Sequence, residues 1–156
     1  MDEPLKRNVQ PLSINMGISE FDASHVGRVA VSFHLSSPTL DPSEVTLALG
    51  ISPELISVAP STHGFWSISS QGKVDGSLAA KDINEHFRYL LRALLPLREA
   101  ILKFAQGGET FFDVLWESSY LYAGTGPVIA DDCIAGICQL NAGLGFDIYQ
   151  IEANDQ

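Results

Sequence analysis

Asp82-Ile-Asn-Glu-His-Phe-Arg-Tyr-Leu-Leu-Arg-Ala-Leu-Leu-Pro-Leu-Arg-Glu-Ala-Ile-Leu-Lys-Phe104 is the longest periodic segment of the chain. Ile83, Phe87, Leu90, Leu94, Leu97, Ile101 and Phe104 recur at steps of 4, 3, 4, 3, 4 and 3 residues, the spacing of one helix face. Asp82 and Glu85 stand three apart just ahead of the apolar run, a capping box that satisfies the free amides of a first turn. Gly107-Gly108 supplies the stop. Leu91, Leu95 and Leu102 widen the apolar stripe beyond a two-stranded seam, so the helix is expected to lie on a sheet. Pro96 lacks an amide hydrogen and is expected to kink the helix or divide it in two.

The sheet is written on both sides of this helix. Arg28 to Leu35 alternates, with Val29, Val31, Phe33 and Leu35 on one side and Arg28, Ala30, Ser32 and His34 on the other. A short helix follows, opened by Asp41 as N-cap, Pro42 at the first helical position and Glu44, stapled by Leu40 and Val45, and closed by Gly50. After a Pro-containing connection, Gly64 to Ser70 is a second strand with Trp66 and Ile68 opposed to Phe65, Ser67 and Ser69. Thr110 to Glu117 is a third, with Phe112, Val114 and Trp116 opposed to Phe111, Asp113, Leu115 and Glu117. Beyond a Gly- and Tyr-rich loop, Ala130 to Asn141 reads as a helix through Cys133, Ile134, Ile137 and Cys138, and Leu144 to Ile151 as a last strand. The order strand, loop, capped helix, Gly, strand occurs around the first helix and again around the last, a hint of duplication. The fold class is therefore α+β, one domain over residues 28 to 151. A mostly antiparallel four- or five-stranded sheet carries three helices on one face. Residues 1 to 27 form an N-terminal extension or one short strand around Val9 to Met16, and residues 152 to 156 a tail.

Composition bounds the function. With 156 residues, 46% hydrophobic and 18% charged, the chain is long enough for one core and too apolar for a disordered acidic tail. Nine Lys plus Arg against nineteen Asp plus Glu leave a net charge of -10, which opposes phosphate backbones and anionic lipid, so neither nucleic acid nor membrane is an expected partner. After Lys103 there is no basic side chain, while Glu109, Asp113, Glu117, Asp131, Asp132, Asp147, Glu152 and Asp155 supply eight acids. Such a segment suits a basic protein partner. No stretch approaches 18 apolar residues and no secretion signal is visible, which points to the cytoplasm. Cys133 and Cys138 lie about 140° apart around a helix, too far to share a metal or a bridge, and are expected to be core thiols.

Two segments carry a resemblance. Leu40-Asp41-Pro42-Ser43-Glu44-Val45-Thr46-Leu47-Ala48-Leu49-Gly50-Ile51-Ser52-Pro53 resembles the D-P-x-E-V-T-x-x-L-G-I-x-P signature of the bacterial family known as domain of unknown function 4279, and Phe146-Asp147-Ile148-Tyr149 resembles its closing strand. The Trp66 strand and the long helix with Pro96 fall between them in the family's order. Where the family often has a basic, Gly-containing stretch before the Trp strand, Glu54 to Gly64 has only His63, so no ligand contact is carried over there. The resemblance implies an α+β fold in a small bacterial cytoplasmic protein and supplies no activity.

No phosphate-cradling turn, nucleophile elbow or metal-ligand spacing occurs, and no cofactor or metal is implied. His86, between Glu85 and Arg88, is expected on a solvated helix face. Turning the apolar sides of the strands onto the helices leaves Ser32, His34, Phe65, Ser67, Asp113, Leu115, Glu117, Asp147 and Tyr149 on the opposite face. Of these, His34, Phe65, Asp113, Glu117, Asp147 and Tyr149 are the candidate binding residues, with no catalytic residue assigned. The expected function is a non-enzymatic, acidic protein-interaction module, of the kind that neutralises a basic partner as an immunity protein does. The rival is a small hydrolase or ligand-binding enzyme using Asp113, Asp147 and His34, in which the two carboxylates approach closely enough to raise one pKa. A monomer and a homodimer are compatible with either.

Overall fold

The computed structural model describes residues 23–58, 64–119 and 126–152. Five strands form one sheet: β1 Val26–Ser37, β2 Leu55–Val58, β3 Gly64–Ser69, β4 Glu109–Ser118 and β5 Gly143–Gln150. Their spatial order is β2-β3-β1-β4-β5, antiparallel throughout except that β4 and β5 run parallel. The helices are α1 Pro42–Leu49, α2 Ile83–Leu94, α3 Arg98–Phe104 and α4 Asp131–Gln139. The α+β architecture and the mostly antiparallel sheet agree with the sequence reading.

The long apolar helix divides where Pro96 requires it. A 3-10 turn over Leu95–Leu97 joins α2 to α3, so one predicted helix becomes two segments of the same layer. Asp82 caps α2 by accepting from Asn84 N at 2.9 Å, and Asp41 caps α1 by accepting from Ser43 N at 2.9 Å. Gly50 closes α1 at φ +64°, a conformation costly for any residue with a Cβ, and its amide donates to Thr46 O at 2.9 Å. Asn84 also holds the approach to α4, accepting from Ala130 N at 2.7 Å and donating to Val128 O at 3.0 Å.

The core lies between one sheet face and the helices. Val29, Val31, Phe33 and Leu35 of β1, Trp66 and Ile68 of β3, and Phe112, Val114 and Trp116 of β4 join Phe87, Leu90, Leu94 and Ile101 in one buried cluster. Phe112 is its hinge, with ring centroids 5.0 Å from Phe33 and 5.6 Å from Phe87. Full burial of a side chain of this size is worth roughly 1.5–3 kcal/mol, which is why the alternating strands commit this face to the helices. Trp66 keeps its indole N–H satisfied by donating to Thr46 Oγ1 at 3.0 Å, tying β3 to α1.

Several expectations are corrected. The connection after α1 contains β2, whose four residues pair with Ser67 to Gly64 and are too few to show alternation. His86 is buried rather than solvated, because its ring fills the gap between β3 and the turn that precedes α2. Cys138 is exposed while Cys133 is buried, as the 140° between them dictates once α4 turns a single face inward. Ile134, read with the core side of α4, is 47% exposed for the same reason. In the suspected duplication, β4-α4-β5 is a parallel unit, but β1 and β3 are antiparallel neighbours, so the second unit is not a copy of the first. Residues 1–22, His63 and the Tyr-containing loop lie outside the described residues.

Candidate binding face

Strand register assembles the second sheet face row by row. His34 stands opposite Ser67 on β3 and Phe111 on β4. One row along, Ser32 lies between Ser69 and Asp113, and Asp113 is in turn opposite Gly145 of β5. Leu115 faces Asp147, and Glu117 faces Tyr149. Because side chains alternate along every strand, all six predicted residues, His34, Phe65, Asp113, Glu117, Asp147 and Tyr149, occupy the face opposite the core cluster.

The centre of the face is aromatic. The Phe65 ring meets His34 edge-on, centroids 5.1 Å apart at 81°. Phe111 lies against β5: a Cβ added at Gly143 or at Gly145 would come within 2.7 Å of its ring carbons. Those glycines are therefore the space the ring occupies, which accounts for the Gly143-Leu-Gly145 sequence in a strand. Burial lowers the His34 pKa below its ordinary value, and the charges of Asp113 and Glu109 act in the opposite direction. At neutral pH the centre of the face thus holds a neutral imidazole among rings, with carboxylates around it.

The carboxylates differ in their surroundings. Glu117 is paired: Arg28 Nη2 donates to Oε1 at 2.8 Å and the Arg28 amide donates to Oε2 at 3.2 Å. Asp113, Asp147 and Glu109 carry no ion pair among the described residues. Asp113 and Asp147 do not stand side by side, since their direct neighbours are Gly145 and Leu115. With strands about 4.8 Å apart and a rise of about 3.3 Å per residue, the backbone diagonal between them is about 8 Å. Among the described residues no group of three His, Cys, Asp or Glu could hold a metal ion.

A cleft of about 520 Å³ lies at the start of β4 and is lined by Leu102, Gln106, Glu109, Thr110, Phe111 and Asn141 among others. It borders the aromatic centre through Phe111 and Glu109 but does not reach Asp147. A second cleft of 320 Å³ sits beside α1, between Pro42, Thr46, Pro53 and Ile56. Sequence alternation assigned Phe111 to this face, yet its role is visible only through the parallel pairing that lays β5 beneath it.

Residues 27–151 match the family model described as Domain of unknown function (DUF4279). The chain belongs to that family. No curated protein and no solved structure matches it significantly. DUF4279 membership spans both the α1 signature and the closing strand, and so takes in every residue of the face. Among the described residues no helix is long and apolar enough to cross a membrane.

Proposed function

We propose that this DUF4279 chain is a non-enzymatic, acidic protein-interaction module of the cytoplasm, whose open sheet face docks a basic protein as an immunity protein docks the toxin it neutralises. One observation carries this reading. Asp113, Asp147 and Glu109 lack cationic partners among the described residues, yet they share one sheet face with Phe65, Phe111 and Tyr149. Aromatic anchors rimmed by charge are what protein interfaces select, and unpaired carboxylates raise the association rate of a cationic partner. The rival, a small hydrolase or ligand-binding enzyme built on Asp113 and Asp147, gains no support from a pair that is diagonal rather than directly opposed.

The test is calorimetric titration of a basic protein recovered with the chain, at low and at high salt. Affinity should fall by roughly tenfold or more as salt rises, and the triple variant Glu109→Gln, Asp113→Asn, Asp147→Asn should lose most of the low-salt advantage. Binding that ignores both salt and the triple substitution overturns the reading.

A further inference from the structure

Among the described residues the sheet ends on β5. All eight residues from Gly143 to Gln150 pair in regular register with β4 on one side, and among the described residues no strand lies on the other. Soluble proteins blunt such edges with short strands, Pro, Lys or bulges. The opposite edge follows that rule, since β2 has four residues and comes just after Pro53. β5 does not: it is eight residues long, has neither Pro nor Lys nor Arg, and shows no register shift against β4.

Its side chains are also exposed where the sheet pattern calls for burial. Phe146 and Ile148 point to the helix side, in register with Val114 and Trp116. Yet they are 41% and 48% exposed, whereas Val114 and Trp116 are 0% and 2%. Tyr149, on the other face, and Ile151, just past the strand, extend the apolar stretch, and Ile134 of the crossover helix α4 is exposed on the helix side. An edge with no strand partner among the described residues, lined by apolar side chains, is a template for another strand.

We propose that the added strand is β5 of a second copy, running antiparallel about a twofold axis at Ile148. A closed dimer requires each edge to complement itself, and this register meets the requirement. Ile148 faces Ile148, Phe146 faces Gln150 and Gly145 faces Ile151. Asp147, the only charge on β5, falls opposite Tyr149. Moving the axis to Asp147 sets two carboxylates face to face, which is destabilising. Moving it to Phe146 leaves Ile151 outside and spends the pairing on Leu144, which is already partly buried. The Ile148 axis centres the exposed apolar stretch. It is perpendicular to the sheet, so both helix layers fall on one side and both open faces on the other, in one ten-stranded sheet. The pairing stands whether or not that face binds a basic protein.

One strand from each copy places the interface near the small end of stable associations, about 1,000 Å² in total, so the dimer should dissociate on dilution. Sedimentation of the full chain over a concentration series is the test. The expected result is a concentration-dependent doubling of mass. Ile148→Glu and Ile148→Lys, each checked for retained fold by circular dichroism, should each sediment as monomers. Their equimolar mixture should recover the dimer, because opposite charges then meet on the axis. A wild-type chain that stays monomeric overturns the proposal, as does a dimer that Ile148→Glu leaves intact, or a mixture that fails to reassociate.

Discussion

Ser70 Oγ and His86 Nδ1 lie 2.8 Å apart in the interior, joining the end of β3 to α2. The other ring nitrogen, Nε2, faces Ala80 O at 2.9 Å, which requires a proton on Nε2 and leaves Nδ1 as acceptor in the neutral ring. Ser70 Oγ also accepts from Val31 N at 2.8 Å, and Ser70 N donates to Val31 O at 2.9 Å. A single serine thus closes the β1 ladder beyond the last residue of β3 and anchors the helix layer to it.

Ser70→Ala should therefore cost more than one lost hydrogen bond, because it leaves both the Val31 amide and His86 Nδ1 buried without a partner. About 2 kcal/mol is expected from two such groups, or a fall in Tm of roughly 4–8 °C for a domain of this size. Urea unfolding and a thermal melt measure it. A loss under about 0.5 kcal/mol would show that water replaces the hydroxyl.

Cys133 and Cys138 should react very differently. Burial, the largest influence, pushes the Cys133 thiol up to about 11, and nearby Asp132 adds to it. Cys138 is exposed on the outer side of α4. Iodoacetamide at neutral pH should label one thiol in the folded protein and two in denaturant, with mass spectrometry placing the first label on Cys138. Labelling of Cys133 at a comparable rate would mean that α4 opens readily.

How far these features were legible depends on their physical origin. The strands with two clean faces, β1, β3 and β4, and the capped helices α1 and α2 are local patterns, and each is visible in the residues themselves. β2 is not, because Leu55 and Ile56 are both more than half exposed and a four-residue edge strand shows no alternation. His86 reads as a surface residue between Glu85 and Arg88, and only tertiary contact with Ser70 and Ala80 makes it interior. On the candidate face, alternation places His34, Phe65 and Asp113 together, but the offset between Asp113 and Asp147 follows from the parallel register of β4 and β5. Nothing local encodes that register; it comes from where α4 returns the chain.

Two glycines that look alike in sequence should respond oppositely to alanine. A Cβ at Gly108 would fall 1.9 Å from Ser36 O and 2.7 Å from Ser37 Cα, both backbone atoms of β1 that cannot move without breaking its ladder. Gly108→Ala is expected to cost more than about 3 kcal/mol. At Gly136 the nearest atoms are the Leu91 methyls, at 2.7 and 3.0 Å, the far end of a side chain that can rotate. Since alanine is favoured over glycine inside a helix by about 1 kcal/mol, Gly136→Ala should stay within about 1 kcal/mol of wild type. Equal losses in denaturant unfolding would contradict this distinction.

The pH dependence of stability should reveal the surroundings of His34. In the folded chain burial holds its pKa below the ordinary value, while the charges of Asp113 and Glu109 partly offset that effect. As pH falls through about 6.5, the unfolded chain takes up the proton first, so protonation favours unfolding. The stability this residue contributes is complete above that pH, declines below it, and levels off once the folded imidazole is protonated as well. The difference in unfolding free energy between wild type and His34→Gln should therefore change between neutral pH and pH 5, wild type losing more. Asp113→Asn removes one of the opposing charges and should lower the His34 titration midpoint further when followed by NMR of the imidazole. Parallel stability curves for wild type and His34→Gln, or a midpoint that rises in Asp113→Asn, would show that the ring is open to solvent and that the face is not organised around it.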